Sequence, residues 1–323
     1  MRKLFFLPIF LCVPILAGCA PAAKDTNSDE IKIVCTVFPE YEWTREIIGE
    51  AENKSSIKLL ADNGTDFHSY QPSTEDIVAI SNCDVLIYVG GESDKWIEDA
   101  LKNSLNSDMQ VVRLADILDN ELLDEPETLE KEQEHEYEHE EAQSAFDEHV
   151  WLSLKNAERF CSGIADALSN VDSENADVYK ANAKEYISKL NALDSEFKDK
   201  LSSAKRNTVI FGDRFPFVYM MEDYGIDYYA AFPGCSSEAD ASFDTVLNLA
   251  KKTDEENISA ILTIEGSDCN IADAIISNTE TETEKRILTL DSMQTVNFDE
   301  IEGGKTYLSV MEKNLDVLME ALN

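Results

Sequence analysis

Ile187-Ser188-Lys189-Leu190-Asn191-Ala192-Leu193-Asp194-Ser195-Glu196-Phe197-Lys198-Asp199-Lys200-Leu201 is the stretch on which the fold turns. Ile187, Leu190, Leu193, Phe197 and Leu201 recur every three or four residues, with Lys and Asp between them, which draws one apolar stripe along a helix. The surrounding pattern predicts a long linking helix over 173–205. Before it, Ile31 to Val37, Ser56 to Leu60 and Val85 to Val89 are short β-rich runs. They alternate with helical segments near Glu42 to Ile48, Thr74 to Ser81 and Trp96 to Asn103. After it the same rhythm returns in Thr208 to Phe211, Tyr228 to Ala230, Ala260 to Ile264 and Ile287 to Leu290. The chain therefore reads as two α/β lobes, 31–172 and 206–323, joined by a single rigid helix. A continuous helix between lobes limits hinge opening more than loops would.

Composition narrows the function. The 323 residues hold 27 Lys and Arg against 65 Asp and Glu, a formal net charge of −38. Nucleic-acid binding, which relies on an excess of Lys and Arg against phosphates, is excluded as a principal role. Seven cysteines are too few for a disulfide-built scaffold. Residues 1–18 have a basic start, Met1-Arg2-Lys3, and an apolar run that is shorter than the about 20 residues of a membrane span. Leu16-Ala17-Gly18-Cys19 follows directly, so the segment resembles a bacterial lipoprotein signal with Cys19 as the lipidated residue. Residues 19–30 read as a tether. The expected location is outside the cytoplasmic membrane on a lipid anchor, on a Gram-positive type of surface.

Asp119 to Glu148 holds 14 acidic residues and one basic residue, Lys131, and reads as a solvated insert of the first lobe. His135 and His139 inside it offer accessory capture of divalent cations. The other two histidines are His68, in Asn63-Gly64-Thr65-Asp66-Phe67-His68-Ser69-Tyr70-Gln71-Pro72, and His149, in Asp147-Glu148-His149-Val150-Trp151-Leu152-Ser153. Both follow irregular stretches at the ends of α/β segments, where open sheets place their sites.

Those two histidine segments, the Leu16–Cys19 motif, Val37-Phe38-Pro39, Asn82 to Tyr88 and Tyr224-Gly225-Ile226 together resemble the zinc- or manganese-binding receptors of ABC importers. The resemblance covers nearly the whole mature chain. It implies two α/β lobes on one rigid helix, a metal ion in the cleft between them, and transfer of that ion to a membrane permease. It places ligands at His68, His149 and Asp291. The remaining ligand position, a His or Glu in relatives, falls on Arg214 when counted back from Tyr224-Gly225. An arginine offers no lone pair. Asp213 is the nearest replacement. Glu238, Glu265, a Cys235 thiolate, or a water completing the shell while Arg214 holds a carboxylate remain open. The acidic insert argues for Zn(II), and two histidines with two carboxylates also suit Mn(II). The expected protein is a monomeric receptor and not an enzyme. It has no His-Glu-x-x-His, Gly-x-Ser-x-Gly or phosphate-loop motif that would make an envelope hydrolase the better reading, and no repeats that would favour an adhesin. Of the five remaining cysteines, an odd number, Cys35 and Cys83 read as small buried residues, while Cys235 and Cys269 stand in Gly- and Ser-containing loops where a disulfide is one option and a Cys235 thiolate ligand another.

Overall fold

The computed structural model describes residues 30–49, 55–126, 146–234, 241–282 and 284–323. Four strands, β1 (Ile31–Cys35), β2 (Ser55–Leu59), β3 (Val85–Tyr88) and β4 (Gln110–Arg113), form one sheet in the order β2-β1-β3-β4. Four more, β5 (Thr208–Phe215), β6 (Asp227–Pro233), β7 (Ala260–Ile264) and β8 (Arg286–Leu290), form a second in the order β6-β5-β7-β8. Every pairing among them is parallel. Parallel neighbours need crossovers, and helices supply them. The first lobe carries α1 (Phe38–Ile48), α2 (Thr74–Asn82), α3 (Trp96–Leu101) and α4 (Leu114–Leu118). Two long helices follow, α5 (Leu154–Val171) and α6 (Ala176–Ser202). The second lobe carries α7 (Val218–Tyr224), α8 (Phe243–Glu255), α9 (Asn270–Ser277), α10 (Phe298–Glu302) and α11 (Tyr307–Ala321).

Alternation along the strands decides which core each side chain joins. Val34, Leu86 and Tyr88 face α2 and α3, while Ile33, Cys35, Val85 and Ile87 face the centre of the molecule. In the second sheet Ile210 and Ile261 pack outward with α8 and α9 residues, and Val209, Phe211, Ala260, Leu262 and Ile264 point inward. The two inner faces meet α1, α5, α6, α7 and α11 in a single central core. Trp43 of α1 anchors it, 5.7 Å from Phe160 and 5.1 Å, edge-on, from Tyr307. The lobes are thus fused along this core.

The apolar stripe of α6 differs in detail from the expected one. Its buried side is Tyr179, Ala183, Tyr186, Leu190, Leu193, Asp194 and Phe197, with Ile187 and Leu201 only partly covered. Tyr179 takes a position on the buried side because its aromatic body packs in the core while its hydroxyl donates to Asp172 at 2.8 Å; the buried Tyr186 hydroxyl has no such partner. Also, α5 is an 18-residue helix that the spacing argument did not single out. The start of α1 lies at Phe38, earlier than expected, because Pro39 is tolerated in a first turn where no N–H is required. The buried, free Cys35 and Cys83 are as expected, and Cys235 lies outside the described residues.

Several hydrogen bonds cross from one lobe to the other. Trp151 Nε1 donates to the Ser292 carbonyl at 2.9 Å, and the Tyr307 hydroxyl donates to the Trp151 carbonyl at 2.7 Å. Tyr219 donates to the Asp147 carbonyl at 3.0 Å, Phe67 N to Gln294 O at 3.2 Å, and Phe298 N to Asp62 O at 3.0 Å. These links sit at the carboxyl ends of the strands, where both sheets open onto one cleft. Each sheet changes direction of winding there, between β1 and β3 and between β5 and β7. Open α/β sheets place their ligands at such points.

Beneath the cleft, Glu40 is fully buried and accepts from Thr36 N at 2.8 Å, Thr36 Oγ1 at 3.1 Å and Val37 N at 3.2 Å. Burial pushes its carboxyl up from 4.5 to about 8, with the backbone donors pulling the other way and Asp94 adding to the rise. Between these two values the native state holds a proton that the unfolded chain has released, so this group's contribution to stability falls as pH rises. Glu40→Gln should remove that fall. The difference in unfolding free energy between native protein and variant should change by on the order of 2 kcal/mol between pH 5 and 8, measured by denaturant melts. Parallel pH profiles for the two proteins would refute it.

Candidate metal centre

His68 lies in a single 3₁₀ turn, Phe67–Ser69, after β2. Asp66 caps the turn, its Oδ1 accepting from His68 N at 2.9 Å, and Phe67 is buried edge-on against Trp151. The ring is fixed from behind by Ser93 Oγ, 2.7 Å from His68 Nδ1. Ser93 belongs to the loop after β3, and Glu148 holds that loop by accepting from Glu92 N at 2.7 Å and Ser93 N at 3.0 Å. Gly91 makes room for this: a Cβ there would sit 2.4 Å from Glu148 Cγ.

His149 is fully buried. Asp147 Oδ1 accepts from both its backbone N and its Nδ1, each at 2.9 Å. A carboxylate only accepts, so a proton sits on Nδ1, and Nε2 is the nitrogen turned toward His68. Gly234 passes close by, and a Cβ on it would lie 2.7 Å from His149 Cε1 and 2.9 Å from the Phe215 carbonyl.

The two rings meet with Nε2 facing Nε2 at 2.9 Å. Burial holds His68 down at about 3, helped by the neighbouring His149 and Arg214 and opposed by Asp66. His68 is therefore neutral at neutral pH, and a single N–H···N bond joins the rings. Two nitrogens on a tetrahedral zinc stand about 3.3 Å apart. A few tenths of an ångström of opening would convert this pair into two metal ligands.

The carboxylates expected to join them are placed differently. Asp213 sits at the end of β5, in a bulge where Phe211 pairs with Ala230 but Arg214 pairs with Phe232. Bulges re-aim side chains. Asp213 Oδ1 accepts from Arg214 N at 2.8 Å, while Oδ2 is buried with no hydrogen-bond partner. Asp291 accepts from Met293 N at 2.9 Å and pairs with Lys305 at 2.8 Å. Glu265 is fully used, taking Ser292 N and Oγ at 2.7 Å each and Gln294 N at 3.1 Å. Burial and then Asp291 raise its pKa. Arg214 does hold a carboxylate, that of Asp66. Among the described residues no three His, Cys, Asp or Glu side chains gather at metal-holding distance. The structure brings His68 and His149 together and leaves Asp213 and Asp291 apart from them. His135, His139, Cys235, Glu238 and Cys19 lie outside the described residues.

The acidic insert is shorter than the sequence suggested. Asp147 and Glu148, counted into it by charge, are buried supports of the two histidines, and Leu123 N is bonded to the Tyr219 hydroxyl at 3.1 Å. Ser93 and Asp66 were missed as supports. Asp66 had a signal, its position two residues before His68; Ser93 had only its place beyond Gly90-Gly91.

The family described as zinc-uptake complex component A, periplasmic, matches residues 33–321. A zinc-binding protein AdcA of Streptococcus pyogenes is 29% identical over 327 residues, covering 98% of this chain and 61% of that protein. The chain thus spans about three-fifths of the length of that relative. The high-affinity zinc uptake system protein ZnuA of Bacillus subtilis is 26% identical over 321 residues, covering 97% of this chain and 96% of that one. In structure, the Zn(II)-bound ZnuA-like domain of Streptococcus pneumoniae AdcA has a TM-score of 0.70 at 25% identity, covering 91% of this chain and 99% of that domain. With all but the first 32 and last two residues inside the match, the chain belongs to the zinc-uptake complex component A family.

Proposed function

We propose that this protein is an extracytoplasmic receptor, lipid-anchored through Cys19, that captures one Zn(II) ion and hands it to the permease of an ABC importer. The observation that carries the reading is the pair of imidazoles, His149 buried and His68 half-buried, with Nε2 atoms facing each other at 2.9 Å and each anchored through its other nitrogen. Two imidazoles backed by a carboxylate and a hydroxyl favour zinc over the harder manganese. The orphaned Oδ2 of Asp213 supports that residue as third ligand, since a buried carboxylate oxygen without a partner is costly unless something binds it. Asp291 is the fourth, and would exchange Lys305 for the ion or for a water on it. Binding and release require no bond-breaking, so no turnover is assigned. The ion and the permease are the partners, and the relatives named above, which are called zinc-binding and zinc-uptake proteins, point the same way.

Calorimetric titration of the metal-stripped mature protein should give one Zn(II) per chain with sub-micromolar affinity, and weaker binding of Mn(II). His68→Ala or His149→Ala should abolish this stoichiometric event. Retention of one tight zinc by the double variant would end the reading. Asp147→Asn should weaken binding by roughly 10- to 100-fold, since outer partners of a ligating histidine have effects of that size. Removal of residues 127–145 isolates any accessory contribution of His135 and His139 while sparing Asp147 and Glu148. Asp213→Asn separates third-ligand candidates: affinity should fall about as far as for Asp147→Asn. An unchanged affinity would take Asp213 out of the set.

Uptake offers a cellular check. In a host strain lacking its own zinc receptor and supplied with the cognate permease, the native gene should restore growth on scarce zinc. The His149→Ala and Cys19→Ala forms should not. Full rescue by Cys19→Ala would remove the lipid anchor from the proposal.

A further inference from the structure

Arg214 is a cation beside the candidate metal centre, and the structure shows what it holds. Arg214 reaches out from the end of β5 in the second lobe, and its Nη2 lies 2.7 Å from Oδ2 of Asp66 in the first. The other oxygen of the same carboxylate, Oδ1, accepts from the backbone N of His68 at 2.9 Å. One carboxylate therefore ties β5 of the second lobe to the turn that presents His68. The pair is mostly enclosed, with side-chain exposures of 22% for Arg214 and 18% for Asp66. An ion pair so placed is less screened than a surface one.

The bulge in β5 makes this reach available. Between the paired positions Phe211–Ala230 and Arg214–Phe232, two residues of β5, Gly212 and Asp213, face one residue of β6, Ala231. Gly212, inside the bulge, lies so close to α9 that a Cβ would be 2.8 Å from the Ala272 backbone. The strand end is thus held firmly against its own lobe, and Arg214 extends from a fixed base. Pairing with Asp66 also offsets the guanidinium charge that would otherwise repel an arriving dication.

We propose that Arg214 is a positioning residue for metal capture: it is a strut between the lobes that holds Asp66, and through Asp66 the orientation of His68. The inference rests on the reading of His68 and His149 as ligands. It predicts that the residues act as one unit. Arg214→Ala and Asp66→Asn should each lower zinc affinity roughly tenfold or more. The double variant should be no worse than either single one, because both remove the same link. Arg214→Lys should recover part of the loss, since it keeps the charge but lacks the planar fork.

A general loss of packing is distinguished by two further readouts. With Co(II) in place of zinc, the visible absorption of the native and Arg214→Ala proteins should differ in shape or intensity, reporting a displaced His68, while thermal melts of the metal-free proteins stay close together. Additive losses in the double variant, or an Arg214→Ala protein with native zinc affinity and an unchanged Co(II) spectrum, would overturn the proposal. Failure of the native protein itself to bind zinc would instead overturn the receptor reading, so the two failures are separable.

Discussion

The indole N–H of Trp151 is the constraint around which the rest is arranged. The residue is fully buried, so that its one donor must find an acceptor or cost a lost hydrogen bond. The acceptor is the carbonyl of Ser292 in the other lobe, and the carbonyl of Trp151 in turn takes the hydroxyl of Tyr307. Phe67 and His149 pack edge-on against the same ring. Truncation of a buried tryptophan commonly costs about 3–5 kcal/mol. Here the change would also release the turn that follows His149 and the face that supports Phe67 beside His68. Stability of the joined lobes and geometry of the histidine pair draw on the same few contacts.

Around this anchor the buried acids serve mainly as clips for loops. Glu40 holds Thr36 and Val37 after β1; Asp94 accepts from Val89 N at 2.9 Å and Gly90 N at 3.0 Å after β3; Glu148 holds Glu92 and Ser93. All three have carboxyls pushed upward by burial, to about 8 for Glu40 and about 7 for Asp94. They differ in kind from the acids that give the chain its net charge of −38. The loops at the carboxyl ends of parallel strands leave N–H groups without strand partners, and these side chains satisfy them. Rigid loops follow, and with them a fixed ring of His68.

Strand rhythm and helix periodicity carried the fold, because Val, Ile and Leu runs alternating with helical stretches have few other solutions once one long helix separates them. Of the candidate site, the sequence singled out His68 and His149, which stand in distinctive local sequences and which the fold brings together. What the sequence could not convey is partnership across space. Ser93 is an ordinary serine until the β3 loop folds behind His68. Asp147 and Glu148 look like the end of a charge run until they are buried. Arg214 looks like the loss of a ligand until Asp66, 148 residues away, is seen to meet it. Charge density also misled on the length of the insert, since composition alone does not distinguish a solvated acid from one that accepts backbone N–H groups.

The hydroxyl behind His68 differs from the carboxylate behind His149 in one respect that matters for proton accounting. Asp147 can only accept, which keeps the proton of His149 on Nδ1. Ser93 Oγ, 2.7 Å from His68 Nδ1, can donate or accept. With the rings bonded to each other, the serine gives its hydrogen to Nδ1 and His68 carries its own on Nε2. On the proposed reading, an ion between the rings would turn the serine to accept, and His68 would carry its hydrogen on Nδ1. The proton changes nitrogen without being expelled to solvent, whereas a thiolate site must release one for each cysteine it engages. On the proposed reading, the imidazole pair would exchange its internal bond for a cation by moving one hydrogen between the two nitrogens of His68.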